Sequence, residues 1–236
     1  VTDMRQVFEG CSGLKTIYAG SAWSTAAVTE GDRMFNGCTS LVGGAGTTYD
    51  ANHTDHTYAH IDGGTANPGY FTDINSIEVV GNTDLSSAWW TAFSSNYEIP
   101  ANYTLHMQFI NHSDKVNNWD NWVMLCTADS TRTPEYFALR ADRYGWGDYH
   151  NADGFTTNWE DWDAFREAMD GALVDLTVCR WGSEVKVTSI SKATDGTEYI
   201  QTYTTAVDTA AAKSVNVFFT VENAYIEIYK NSISLT

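Results

Sequence analysis

From Ile74 onward the chain alternates apolar and polar residues with a period of two, as strands do when one face is buried. Tyr103 to Ile110 sets Leu105, Met107 and Phe109 against His106, Gln108 and Ile110. Glu135 to Asp142 sets Phe137, Leu139 and Ala141 against Tyr136, Ala138, Arg140 and Asp142. Ala172 to Trp181 sets Leu173/Val174, Leu176 and Val178 against Asp175, Thr177 and Cys179. Further runs follow at Glu184–Ser191, Glu198–Val207, Ser214–Val221 and Ala224–Tyr229. Turns such as Asp195-Gly196 separate them, which predicts an antiparallel β-sandwich. One stretch has a helical period: Trp159, Trp162, Phe165/Arg166 and Met169 fall on one stripe. Asn158 is placed to cap that helix, with Glu160, Asp161 and Asp163 in the dipole-matched first turn.

Residues 1–73 follow a different rule. Phe8-Glu-Gly-Cys11-Ser-Gly-Leu14 recurs as Phe35-Asn-Gly-Cys38-Thr-Ser-Leu41, a shift of 27 residues. Phe, Cys and Leu at fixed offsets suit a solenoid, in which each coil buries the same positions against its neighbour. Two coils are fewer than such a stack needs, so the piece is expected to be the end of a longer array. Gly43 to Phe71, rich in Gly, Thr, Asp and His, is expected to be a capping loop. The change of pattern predicts two domains, 1–73 and 74–236.

The charge narrows the partners. Thirteen basic against 30 acidic residues leave a formal −17 in 236 residues, a field that repels phosphate backbones and anionic lipid. Nucleic acid is therefore excluded as a partner, and no apolar run reaches the ~20 residues of a membrane span. Cys11, Cys38, Cys126 and Cys179 have no zinc-like spacing and are expected to be buried free thiols.

Residues 3–72 resemble the closing end of BspA-type leucine-rich repeat arrays, whose coils read M-x-x-M-F-x-x-C-x-S-L. The carrying residues are the two Phe-x-Gly-Cys-x-x-Leu copies, then Leu41-Val-Gly-Gly, Ile61-Asp-Gly-Gly and Pro68-Gly-Tyr-Phe71. Val7 stands where Met is usual, and Gly13 where Ser is. The resemblance implies a larger bacterial parent protein, secreted or held at the cell surface, and nothing catalytic. Residues 75–236 resemble a concanavalin/laminin-G-like jelly-roll carbohydrate-binding module through Ser87-Ala-Trp89-Trp90, Asn117-Asn-Trp119-Asp-Asn-Trp122 and Tyr136 to Gly147. The fold class is thus mainly β: an antiparallel jelly-roll sandwich with one short helix, preceded by a short leucine-rich-repeat-like solenoid.

Catalysis finds little support. A glycosidase needs two carboxylates facing across a groove, and the E-x-D-x-x-E strand motif of laminarinase-type sandwiches is absent. Glu160, Asp161 and Asp163 fall on the helix, where neighbours do not converge. No G-x-S-x-G elbow accompanies the six His. His53, His56 and His60 have metal-like spacing in a segment too glycine-rich for a helix, so a structural role is favoured.

Sugar binding needs flat rings for the C–H face of a pyranose and planar polar groups for its hydroxyls, and nine Trp and 13 Tyr supply the rings. The expected ligand surface is Trp122, Arg140, Asp142, Tyr144 and Trp146, with Gln108 beside them. Arg140 and Asp142 share the non-core face of one strand, which also suits a plain ion pair. Asp142, Asp148, Asn151 and Asp153 crowd one loop, oxygen ligands of the kind Ca²⁺ takes. A solvated turn is the favoured account, so no cofactor is expected; sandwich modules with a structural Ca²⁺ supply the resemblance behind the alternative. The reading is non-catalytic polysaccharide or glycan binding. The alternatives are a structural or adhesive module with a protein partner and, third, a glycoside hydrolase.

Overall fold

A ladder of backbone hydrogen bonds joins the two copies of the N-terminal repeat. Met4, Gln6, Phe8 and Gly10 donate their N–H to the carbonyls of Glu30, Asp32, Met34 and Asn36 at 2.7–3.2 Å. The constant offset lays the copies side by side and parallel, so equivalent side chains meet. Phe8 stacks on Phe35 at 5.7 Å, and the Cys38 thiol donates to the Phe8 carbonyl at 3.0 Å. The computed structural model describes residues 1–20, 22–207 and 214–236, with the backbone alone of Asn75. The chain divides into two units, 1–77 and 78–236, each with its own buried core.

In the first unit, Met34, Phe35, Cys38, Leu41, Tyr70 and Phe71 are buried. The strands β1 (Ile17–Ala19) and β2 (Phe71–Asp73) pair in parallel. Cys11 is exposed, unlike its repeat partner Cys38, which corrects the expectation that all four thiols are buried; all four cysteines are free.

The Gly43–Phe71 segment is organised by one carboxylate. Asp62, buried, accepts from the N–H groups of Ala45, Thr47, Gly64 and Gly69 and from the Thr47 hydroxyl. Burial raises its pKa, but the bonds from Thr47, Gly64 and Ala45 outweigh burial and hold it below the ordinary carboxylate range. A depressed folded pKa means that this stabilisation is complete above the unfolded value, about 3.9, and is lost as pH falls through the folded one. Thermal melts from pH 6 down to 2.5 should therefore show the first unit losing stability only below about pH 4. An Asp62→Asn variant should be weaker at neutral pH and show a smaller acid step, the remainder coming from Asp50 and Asp55, which are depressed as well; an unchanged acid step in the variant would assign it to those groups.

The second unit contains β3 (Ile77–Gly81, from the last residue of the first), β4 (Tyr97–Pro100), β5 (Thr104–Ser113), β6 (Trp122–Thr127), β7 (Glu135–Arg140) and β8 (Gly145–Trp146). After β9 (Phe155–Thr157) and helix α1 (Trp162–Ala168) come β10 (Ala172–Trp181), β11 (Glu184–Lys192) and β12 (Glu198–Ala206). Then follow β13 (Ser214–Val221), β14 (Ala224–Tyr229) and β15 (Ser234–Leu235). Among the described residues they form two antiparallel sheets. The larger runs β3-β14-β5-β10-β11-β12-β9 with β15 also on β5, and the smaller runs β4-β13-β6-β7-β8.

The core lies where the inward faces meet. Leu105, Met107 and Phe109 of β5 and Val174, Leu176 and Val178 of β10 join Trp122, Met124, Phe137, Leu139 and Phe219 of the smaller sheet in one cluster. The helix starts later than its apolar stripe suggests. Asp161 caps it, accepting from the N–H of Asp163 and Ala164 at 3.0 Å. Asn158 instead bonds the backbone of Ile200 and Glu198, because the preceding segment is tied to β12. Trp159 and Phe165 stack at 4.3 Å and are buried with Met169, while Trp162 stays at the surface.

Candidate functional site

The smaller sheet has a second covered face. Val123, Leu125, Ala138 and Phe218 point away from the main core and are buried under Trp89, Phe93 and Trp146. The segment between β3 and β4 carries Trp89 and Phe93 onto this face. Trp146 comes from β8, and the route to it depends on glycine: Gly147 has φ +116°, and a Cβ there would lie 2.7 Å from the Phe137 Cα and the Tyr136 carbonyl. The glycines therefore let the Tyr144–Gly147 loop lie against β7.

At the rim of this face stands Arg140, on the same side of β7 as Ala138. Its Nε and Nη2 both donate to the Asp142 carboxylate, a bidentate pair with Asp142 only 3% exposed. Burial raises the Asp142 pKa, and the guanidinium pulls it down without restoring the ordinary value. The pair fixes the guanidinium plane. Tyr144 lies 4.6 Å and Trp119 5.9 Å from the guanidinium carbon, measured to the ring centroids. Both rings face solvent, Tyr144 at 55% and Trp119 at 46% exposure.

Trp89, Trp119, Arg140 and Glu222 enclose a cleft of about 240 Å³. Glu222 is held there by the Ser87 hydroxyl, which donates to it at 3.0 Å. Trp119 sits on a loop locked from beneath by Asp120, fully buried. Asp120 accepts from the backbone and side-chain amides of Asn117 at 2.8 Å and from the Asn223 amide at 3.1 Å.

The structure thus brings Arg140, Asp142 and Tyr144 together and sets Trp146 nearby in a packed role. Trp146 lies 5.6 Å from Trp89 and 6.1 Å from Trp90, and its side chain hydrogen-bonds Glu135, so it supports the face from below. Two expected members are corrected. Trp122 is fully buried in the main core against Phe109 and Phe219, because even positions of β6 face inward. Gln108 lies on β5 of the other sheet, where its amide donates to Asp175 at 2.9 Å. Trp89, Trp119 and Glu222 take their place, and none shares a strand with Arg140. Their place beside turns is the signal they carry in the sequence; Trp119 is exposed, and Trp89 and Glu222 are half-buried.

The candidate calcium loop does not converge. Asp142 is committed to Arg140, and the Asn151 side chain accepts from the N–H of Asp153 at 3.1 Å, capping its own turn. Among the described residues no three His, Cys, Asp or Glu side chains are grouped as a metal requires. His53 stacks on Tyr58, His60 pairs with the Ile61 carbonyl, and His56 packs over Gly31, so the three imidazoles turn to separate partners.

No protein-family model matches the chain, and no curated protein does. Among solved structures it is similar to a seed lectin of Lotus tetragonolobus, at 12% identity and a TM-score of 0.41, over 69% of this chain and 87% of that one. It is also similar to lectin I-B4 of Griffonia simplicifolia, at 14% identity and a TM-score of 0.39, over 69% and 93%. A third is the exoplasmic/lumenal domain of VIP36 in its Ca²⁺/Man3GlcNAc-bound form, at 11% identity and a TM-score of 0.33, over 68% and 85%. The function of this chain has to come from its own residues.

Proposed function

We propose that the sandwich unit is a non-catalytic glycan-binding module and that residues 1–73 are the closing end of a BspA-type leucine-rich repeat array in a larger secreted or surface-held protein. The observation that carries the binding reading is the Arg140 guanidinium, oriented by a buried carboxylate and flanked by two exposed rings at the mouth of the cleft. A pyranose presents a C–H face and an edge of paired hydroxyls. Trp119 and Tyr144 suit the face, and Arg140 with Glu222 suits the edge, where a planar fork and a carboxylate each meet two hydroxyls. Hydrolysis would need a second carboxylate opposite Glu222, and Asp142 is engaged beneath Arg140. The repeat reading is supported by the constant-offset hydrogen bonds and the Phe8–Phe35 stack.

A glycan array run with and without EDTA tests the binding reading. Binding should survive EDTA. Trp119→Ala and Tyr144→Ala should each weaken it by about 1–3 kcal/mol, the cost of one stacking platform. Their melting temperatures should stay near the parent's, since each ring is about half exposed. Variants that bind like the parent would place the site elsewhere. Sugar release that vanished in Glu222→Gln would make the protein an enzyme.

A further inference from the structure

A second cleft, of about 360 Å³, opens on the same outer face of the smaller sheet. Trp90, Phe93, Arg132 and Glu135 line it, above Leu125. Trp90 has φ +55° and Arg132 φ +67°, left-handed backbone that bulky residues rarely adopt. These conformations hold the Trp90 ring stacked on Phe93 at 5.5 Å and the Arg132 guanidinium 4.2 Å over the same ring. Trp90 is thereby left at the surface, 38% exposed, where a core residue would have been buried.

The two clefts share a wall. Trp89 lines the first and Trp90 the second; their rings lie 5.0 Å apart, and both rest on Trp146. The chemical kit is also the same on each side. The first cleft holds aromatic rings with Arg140 and Glu222, the second aromatic rings with Arg132 and Glu135. Each cleft presents one guanidinium beside one carboxylate, and Arg140 already has Asp142 as its partner, on a chain whose formal charge of −17 repels anions. A chain-end sugar requires a single cleft. Two like clefts on either side of one ring wall fit successive stretches of a polymer.

We infer that the clefts are subsites of one groove, and that its ligand is an uncharged linear glycan gripped along its interior. This rests on the glycan reading of the first cleft. Filling the second subsite from an already bound chain is an intramolecular step, so affinity should grow with chain length until both are filled.

The test is calorimetric titration with β-1,4-linked gluco-, xylo- and manno-oligosaccharides and β-1,3-gluco-oligosaccharides of one to six units. In at least one series the hexamer should bind tenfold or more tighter than the dimer. Arg132→Ala, at an exposed position away from the shared wall, should remove that gain and leave the dimer affinity unchanged, with folding checked by thermal melting. A ligand whose affinity does not grow with length, or a gain untouched in a folded Arg132→Ala protein, overturns the groove while the glycan reading stands. Failure of every oligosaccharide and of the array to bind overturns the glycan reading itself. Preference for a uronic-acid polymer overturns the uncharged class.

Discussion

Trp122→Ala is expected to destabilise the sandwich unit by about 3–5 kcal/mol, the cost of deleting a large buried side chain and leaving a cavity. Trp122 is wholly enclosed, edge-on to Phe109 of the opposite sheet at 5.8 Å and to Phe219 of its own at 6.5 Å. Its removal cuts contacts that join the two sheets, so the whole unit should feel it. Trp122→Phe should cost much less. The indole N–H is buried without a hydrogen-bond partner among the described residues, and a phenyl ring removes that orphan donor while filling most of the space. Urea titrations of both variants, with Trp119→Ala beside them, check the expectation. Near-parental stability of Trp122→Ala would mean that the ring is not the keystone its burial implies.

Asp142→Ala is expected to lower stability by about 1–3 kcal/mol and to weaken glycan binding at least tenfold. The stability loss follows from leaving a mostly buried guanidinium without the carboxylate that takes its Nε and Nη2 hydrogens. The binding loss follows from freeing the fork that reads the hydroxyls. A binding affinity unchanged in a folded Asp142→Ala protein would remove Arg140 from the site. The pH dependence has a defined sign. Because burial raises the folded pKa of Asp142, the protonated group favours the fold; its contribution is complete below the unfolded pKa, about 3.9, and declines as pH rises through the folded value. Asp142→Asn should lack that decline when urea midpoints are followed from pH 3 to 7.

Where one face of a strand is buried and the other wet, the sequence alone is sufficient. The runs Ala172–Trp181 and Ala224–Tyr229 match β10 and β14 end for end. In β10, alternation named the inward residues as well, since Val174, Leu176 and Val178 lie in the core. The 27-residue repeat likewise announced a packing of copy on copy, since equal side chains at equal offsets have only each other to meet. Arg140, Asp142 and Tyr144 were legible as a group because they belong to one strand and the loop that leaves it.

Alternation fails at β6, where both faces are covered by apolar layers. All six residues of β6, Trp122 to Thr127, are buried, since the main core lies on one side and the Trp89–Phe93–Trp146 layer on the other. A strand with two apolar faces has no period of two to read, so the apolar run around Cys126 reads as a strand but does not say which way Trp122 points. Gln108 failed for a different reason: it sits on the polar side of its strand as expected, but which sheet that strand joins is a matter of topology. The rest of the candidate site is assembled only by tertiary structure. Trp89, Trp119 and Glu222 come from three connections far apart in the chain, positioned by long-range bonds such as Ser87 to Glu222 and Asn223 to Asp120. Local sequence chooses strands and the faces that water will not wet; which loops meet at the end of a sheet depends on the order in which the strands pair.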